Sequence, residues 1–205
     1  MMLVFLVIIS CFCIGFIEIL KRKFSLPTAL TRRLTHIGTA VVAGIAPLFV
    51  GQKEIIIVSL IFAGILFISR RYNLFSSIHA VERTTYGEVF LPLGVALTTL
   101  LFLPHDLVAF QFGIFVMGIS DPLAGFVGEK FGTHHIKILG NQKSLEGSLT
   151  FFISSLVLTF LFAQKFEYQS LFIPLVLTFT EFGLVYGLDN LILPVVGAFL
   201  FQSFF

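Results

Sequence analysis

The chain has 205 residues, 57% hydrophobic and only 12% charged, with 27 Phe, no Trp and a mean hydropathy of +1.03. This composition excludes a soluble domain of the same size, whose surface needs far more charge, and points to an integral membrane protein. A net charge of +2 gives no indication of a nucleic-acid partner, and the two cysteines, Cys11 and Cys13, share one apolar run and build no disulfide framework.

Apolar segments occur at about residues 1–20, 36–50, 55–69, 89–103, 107–119, 149–163, 171–186 and 191–205. They predict an all-α, polytopic membrane helix bundle with about 7–8 transmembrane helices, forming one integral membrane domain over residues 1–205. Most segments hold about 15 residues, or about 22 Å, against a hydrocarbon core about 30 Å thick. Some helices must therefore extend into their polar flanks or stay short beside a polar cavity. Pro47, Pro92, Pro174 and Pro194 lie in or beside these runs and read as kinks.

Charge placement sets the expected orientation. With the N-terminus outside, Lys21, Arg22, Lys23, Arg32, Arg33, Arg70, Arg71, Arg83, Lys130, Lys137 and Lys143 lie on the cytoplasmic side. Only Lys53 and Lys165 lie opposite, a division of 11 to 2 among the 13 basic residues. The first segment has no basic residue before it and no small-x-small cleavage pattern after it, so it reads as a retained helix.

In this topology the unusual polar clusters share the cytoplasmic side. They are Arg32-Arg33-Leu34-Thr35-His36, Glu82-Arg83 with Gly87-Glu88, the stretch 120–148, and Glu181 with Asp189-Asn190. Basic residues belong at that boundary for topological reasons, but carboxylates beside them are costly there and mark a functional site.

Ser120-Asp121-Pro122 has the pattern of a helix start, a polar cap followed by Pro at the first helical position. Ala124, Gly125, Gly128 and Gly132 then recur at three- and four-residue spacing on one face. Such a strip admits either a bulky polar ligand or a closely packed neighbouring helix. Lys143-Ser144 and Glu146-Gly147 follow just before the next apolar run. Together these residues supply a hard oxygen ligand for Mg²⁺, a helix N-terminus, a lysine for phosphate and a glycine-lined approach, the set that phosphoryl or nucleotidyl transfer requires. No Walker P-loop or protein-kinase glycine loop occurs. His134-His135 lack a third ligand at zinc spacing and read as solvent-facing loop residues.

Arg32-Arg33 fit either a membrane-surface anchor or, with His36, a forked clamp on a triphosphate. Glu181 and Asp189 stand eight residues apart, a spacing that puts both on one side of a helix. A second Mg²⁺ ligand and a base for an alcohol are both suitable roles.

The order Arg32-Arg33-x-x-His36, Gly87-Glu88, Asp121-x-x-Ala124-x-x-x-Gly128-x-x-x-Gly132, Lys143-Ser144-x-Glu146-Gly147-Ser148, then Glu181 and Asp189-Asn190 resembles the membrane-embedded, CTP-dependent lipid-alcohol kinases. These include the dolichol, phytol and farnesol kinases and CTP-dependent diacylglycerol kinases, in the wider group of phosphatidate cytidylyltransferase. The likeness runs from about Arg32 to Pro194 and is most specific over 121–148.

The resemblance implies transfer of the γ-phosphate of CTP, with Mg²⁺, to the hydroxyl of a membrane-resident polyprenol, phytol or other isoprenoid alcohol, or of diacylglycerol, at a cytoplasmic loop of about residues 120–148. Asp121 would bind the metal, with Asp189 and Asn190 as further ligands. Gly125, Gly128 and Gly132 would admit the nucleotide, while Lys143 and Ser144, with the adjoining Glu146 and Gly147, would meet its phosphates. Arg32, Arg33 and His36 would assist, and Glu88, Glu181 and Asp189 remain as second ligand or base.

Relatives often have Gly-Asp where this chain has Ser120-Asp121. The Lys-Asp pair and His-Gly-Gly segment usual in the cytidylyltransferase branch do not occur here, which favours a kinase. A CDP-lipid-forming cytidylyltransferase and a small ion or solute transporter are the competing readings. Residues 133–142 receive no role from the sequence.

Overall fold

The structure, a computed structural model, describes residues 2–72, 85–138, 141–165 and 167–205. The expected Glu82-Arg83 cluster lies outside the described residues. Nine α-helices are present among the described residues: α1 (Met2–Phe24), α2 (Thr28–Ile45), α3 (Gln52–Tyr72), α4 (Gly87–Phe102), α5 (Leu107–Phe115), α6 (Asp121–Phe131), α7 (Leu145–Ala163), α8 (Gln169–Gly183) and α9 (Asp189–Phe204).

Four helical stretches are long and apolar enough to cross a membrane: Val4–Phe24, Gln52–Arg70, Leu107–Phe131 and Leu145–Ala163; α4 and α9 are shorter apolar helices. Large apolar side chains cover the outside, among them Phe12, Phe67, Leu161 and Phe179. Phe110, Phe112, Phe151, Ile114, Met117 and Leu193 are fully enclosed inside. A bilayer offers no hydrophobic drive for helices to associate, so close approach at small residues matters. A Cβ on Gly113 would collide with the Pro194 carbonyl, and one on Gly118 with Ala40. Those glycines let α5, α9 and α2 pack with their backbones nearly touching.

Several polar flanks are helical, as the short apolar runs required. Helix α2 begins eight residues before the expected start at residue 36, so Arg32, Arg33 and His36 lie on one helix. Three short apolar helices around the site, α4, α8 and α9, have Gly87, Gly183 and Asp189 at the ends that meet there.

Three expectations are corrected. First, the fold is nearly but not wholly α, because His135–Ile138 and Asn141–Ser144 form an antiparallel hairpin, with His135 opposite Ser144 and Ile138 opposite Asn141. Residues 133–142, left without a role by the sequence, contain most of it.

Second, Ser120-Asp121-Pro122 does not start a helix after a break. Ser120 has helical backbone angles and makes no side-chain cap, and α5 passes through a π-helical turn, Val116–Ser120, directly into α6. Pro122 has no N–H to give to the preceding turn, and a widened π turn accommodates that loss while keeping the helix continuous. Asp121 therefore sits within a long helical span.

Third, Glu181 and Asp189 are not on one helix. Helix α8 ends at Gly183, and the chain turns through Tyr186 (φ 60°) and Gly187 (φ 88°) before α9 starts at Asp189. Gly187 supplies the left-handed conformation at no Cβ cost, and a Cβ there would strike the Gly87 backbone.

Candidate active site

The helix ends converge at one end of the bundle. Tyr86 N–H donates to Tyr186 O at 3.1 Å, and Asn190 Nδ2 donates to Gly87 O at 2.8 Å, joining the starts of α4 and α9. Lys143 Nζ pairs with Glu181 Oε1 at 2.6 Å and also donates to the Glu181 carbonyl, joining the hairpin to the end of α8. Arg33 Nη2 pairs with Glu129 Oε1 at 2.6 Å, joining α2 to α6.

Beside the Lys143–Glu181 and Arg33–Glu129 links lies a polar cavity of about 260 Å³, lined among others by Asp121, Gly125, Gly128, Lys143, Ser144 and Glu181. His135 and Gln142 make the hairpin its outer wall. The carboxylates of Asp189 and Glu181 and the cations of Lys143 and Arg32 all act electrostatically on Asp121. Lys143 and Arg32 act on Asp189 as well. Asp121, Lys143 and Glu181 thus line one partly enclosed space within electrostatic reach of Asp189 and Arg32, where charges interact more strongly than in water.

The helix N-terminus expected beside Asp121 is supplied instead by α7. Ser144 has extended backbone angles and its hydroxyl accepts from Gly147 N–H at 3.1 Å, capping a helix of 19 residues whose first turn lines the cavity with Gly147 and Ser148. Backbone amides at such an end favour an anion. Ser144 followed closely by an apolar run was a readable cap signal.

The glycine strip serves two purposes. A Cβ on Gly128 would stand 2.7 Å from Ser144 Oγ, and one on Gly147 would stand 2.9 Å from Ala124 O, so both positions let α6 and α7 pack closely. Gly125 and Gly128 also line the cavity, with Arg33 Nε 3.4 Å from the Cβ position of Gly125. Gly132 packs against Ser144. Glu146 does not face the cavity. Its carboxylate accepts from Thr133 Oγ1 at 2.6 Å and meets His134 Nδ1 at 2.8 Å, bracing the base of the hairpin.

The Arg32-Arg33 pair is divided. On a helix, neighbours point about 100° apart, whereas Arg32 and His36, four residues apart, share a face. Arg33 faces the polar cavity side, while Arg32 and His36 line a second, mostly apolar slot among α1, α2, α3 and α4. Glu88 and Asn190 line the same end of that slot. Glu88 is paired with Arg70, whose guanidinium also lies 4.3 Å from the centre of the Tyr86 ring. The pairing of Arg70 with Glu88 and the slot itself had no signal in local spacing, since both depend on how distant helices meet.

Mg²⁺, implied by the family resemblance, meets suitable donors. Asp121, Asp189 and Asn190 are hard oxygen ligands, and Asn190 Oδ1 is buried without a hydrogen-bond partner. No three His, Cys, Asp or Glu side chains among the described residues stand close enough to hold a metal alone. Mg²⁺ is commonly held by one or two carboxylates with substrate phosphates and water completing its shell, so this donor set fits.

Comparison with known proteins gives an independent result. The chain is 33% identical over 194 residues to a phytol kinase of Synechocystis sp., covering 88% of this chain and 82% of the relative. It is also similar to an uncharacterized protein of Rickettsia prowazekii, 38% identical over 92 residues (45% of this chain, 42% of the relative). A third similar protein, uncharacterized, is from Methanocaldococcus jannaschii, 33% identical over 116 residues (56% of each chain). No family model and no solved structure matches. The chain belongs to the lipid-alcohol kinase family that includes phytol kinase.

Proposed function

We propose that this membrane kinase transfers the γ-phosphate of CTP to the hydroxyl of an isoprenoid alcohol such as phytol or a polyprenol. The observation that carries the reading is the gathering of Asp121, Asp189, Glu181, Lys143 and Arg32 beside the capped start of α7, in a chain related to a phytol kinase. CTP as donor comes from the family resemblance.

Phosphoryl transfer needs positioning and neutralisation more than covalent help from the protein. The polar cavity holds the nucleotide phosphates, with Lys143, the Ser144 hydroxyl and the first amides of α7 turned toward phosphate oxygens. Arg33 adds charge by exchanging its exposed partner Glu129 for phosphate; the Glu129 side chain is 64% exposed, so that ion pair is weakly held. Asp121 and Asp189, with Asn190 Oδ1, would hold Mg²⁺, which would supply neutralisation of phosphate charge when bound. The acceptor oxygen forms its bond to the γ-phosphorus as the bond to the β-phosphate oxygen breaks and CDP leaves. The hydroxyl proton passes to a carboxylate of the cluster.

The chain is multi-pass, with its N-terminus outside and the site on the cytoplasmic face. Support comes from the 11 to 2 division of basic residues and from the site's place at the helix ends that carry them. This placement gives a soluble nucleotide and a bilayer alcohol access to one cavity. The test is a matrix of the four nucleoside triphosphates against phytol, farnesol, a polyprenol and diacylglycerol, with Asp121→Ala as the blank. CTP-dependent phosphorylation of an isoprenoid alcohol is expected, and no transfer to any of these lipids would refute the reading.

A further inference from the structure

The slot among α1, α2, α3 and α4 lies outside the nucleotide cavity but touches the same charged cluster. Its walls change character along their length. One end holds Arg32, His36, Glu88 and Asn190. Beyond them come Val42, Ile55, Val58, Phe62 and Val95, with Leu6 and Ile14 of α1 closing the side.

Lining residues on α2 run from Arg32 to Ala43, which is about 17 Å of helix, against about 15 Å for half of the hydrocarbon core. The slot is thus long enough to follow a lipid chain through a whole leaflet. Three of the four wall hydroxyls are already used within their own helices: Ser10 bonds Leu6 O at 2.8 Å, Thr35 bonds Thr31 O at 3.0 Å, and Thr39 bonds Thr35 O at 2.8 Å, with Ser59 the fourth. The middle of the slot therefore presents mostly apolar surface to any occupant.

The polar end differs. His36 Nε2 and Asn190 Oδ1 are buried and have no hydrogen-bond partner. Buried polar atoms are almost always satisfied, and with Asn190 Oδ1 assigned to Mg²⁺, the orphaned His36 Nε2 at one end of an apolar slot calls for a ligand with a single polar group. Arg32 lines this end and also acts on Asp121 and Asp189, which places the polar end next to the transferring cluster.

We propose that this slot holds the hydrocarbon chain of the acceptor alcohol, and that His36 Nε2 hydrogen-bonds the acceptor hydroxyl at its polar end. The assignment rests on the lipid-alcohol kinase reading and deepens it by locating the acceptor. It gives Arg32 and His36 a place on the lipid side of the cluster and leaves Arg33 on the nucleotide side. A phospholipid acyl chain fits the apolar middle equally well, but it brings no hydroxyl to His36.

Photolabelling tests this without depending on turnover. A phytol analogue carrying a diazirine in its chain is crosslinked to the purified protein in nanodiscs, and the labelled peptides are mapped. Label on α2, α3 and α4 at slot residues such as Val42, Phe62 and Val95 is expected. Excess phytol should suppress it, the saturated hydrocarbon without the hydroxyl should not, and His36→Leu should remove the advantage of phytol. Label confined to outer residues such as Phe12 and Phe67, or equal competition by the hydrocarbon, would overturn the proposal.

A kinetic arm uses Ala43→Phe, which narrows the far half of the slot. The KM for phytol should rise at least about tenfold relative to geraniol, a shorter alcohol. An unchanged ratio would count against the slot, and Ala43→Leu serves as a milder filling should the phenylalanine variant not fold. Phosphorylation with label elsewhere rejects the slot alone. Slot labelling with no phosphorylation of any alcohol rejects the kinase reading alone.

Discussion

Lys143 is joined to Glu181 through both the carboxylate, at 2.6 Å, and the backbone carbonyl, so one ammonium ties the hairpin to the last turn of α8. The two side chains are only 15% and 10% exposed. Removing one partner of such a pair leaves the other charge poorly solvated, at a cost of about 3 kcal/mol. Lys143→Met should accordingly lower thermal stability in detergent as well as activity. Adding Glu181→Gln should recover much of the stability and none of the activity. Paired unfolding and turnover measurements on the single and double variants check this, and recovery of turnover in the double variant would count against a phosphate role for Lys143.

Asp121 stands at the centre of the cluster, and asparagine has almost the same shape. Asp121→Asn is expected to leave the protein folded and monodisperse while reducing turnover by about 10²–10³-fold, the scale for loss of a preorganised charged group. Full activity in this variant would remove Asp121 from the site.

Arg32 and Arg33 should behave differently despite being neighbours. Arg33→Ala, on the nucleotide side, is expected to raise the KM for CTP several-fold with a smaller effect on the alcohol. Arg32→Ala, between the two cavities and close to Asp121 and Asp189, is expected to lower kcat more than it changes the KM for CTP. Steady-state kinetics with each substrate varied distinguishes the two, and identical profiles would contradict the division seen on α2.

Gly128 tests the packing of α6 on α7. An alanine there would press its Cβ to 2.7 Å from Ser144 Oγ, which caps α7 through Gly147 N–H at 3.1 Å. Overpacking typically costs about 1–3 kcal/mol, and loss of a cap about 1 kcal/mol. Gly128→Ala should therefore lower the unfolding temperature, and Gly128→Val should do so more strongly. An unshifted melt for the valine variant would contradict the contact.

The site was legible in the sequence where polarity stood out against an apolar background. Asp121, Lys143, Glu181 and Asp189 were readable on that ground, and the structure brings the four together. What escaped depends on backbone detail or on contacts between distant helices. Pro122 after a serine and an aspartate has the pattern of a helix start, yet the widened turn over Val116–Ser120 carries the helix through it. Glu181 and Asp189 satisfy a helical spacing, yet Tyr186 and Gly187 break the helix and the two carboxylates meet from separate elements. The divergence of Arg32 from Arg33 follows from helix geometry alone and could have been read from their adjacency. The hairpin of His135–Ile138 and Asn141–Ser144 is too short for its alternation to stand out. The slot has no local signature because five helices contribute to it.

The central claim is that the terminal phosphate of CTP moves to a lipid hydroxyl. The most direct measurement supplies CTP labelled at either the α- or the γ-phosphate to the purified protein with Mg²⁺ and phytol, and follows label into the lipid fraction. Lipid label from γ-labelled CTP alone, with CDP released in equal amount, is the predicted result. Lipid label from the α-position, or none from either, would contradict it.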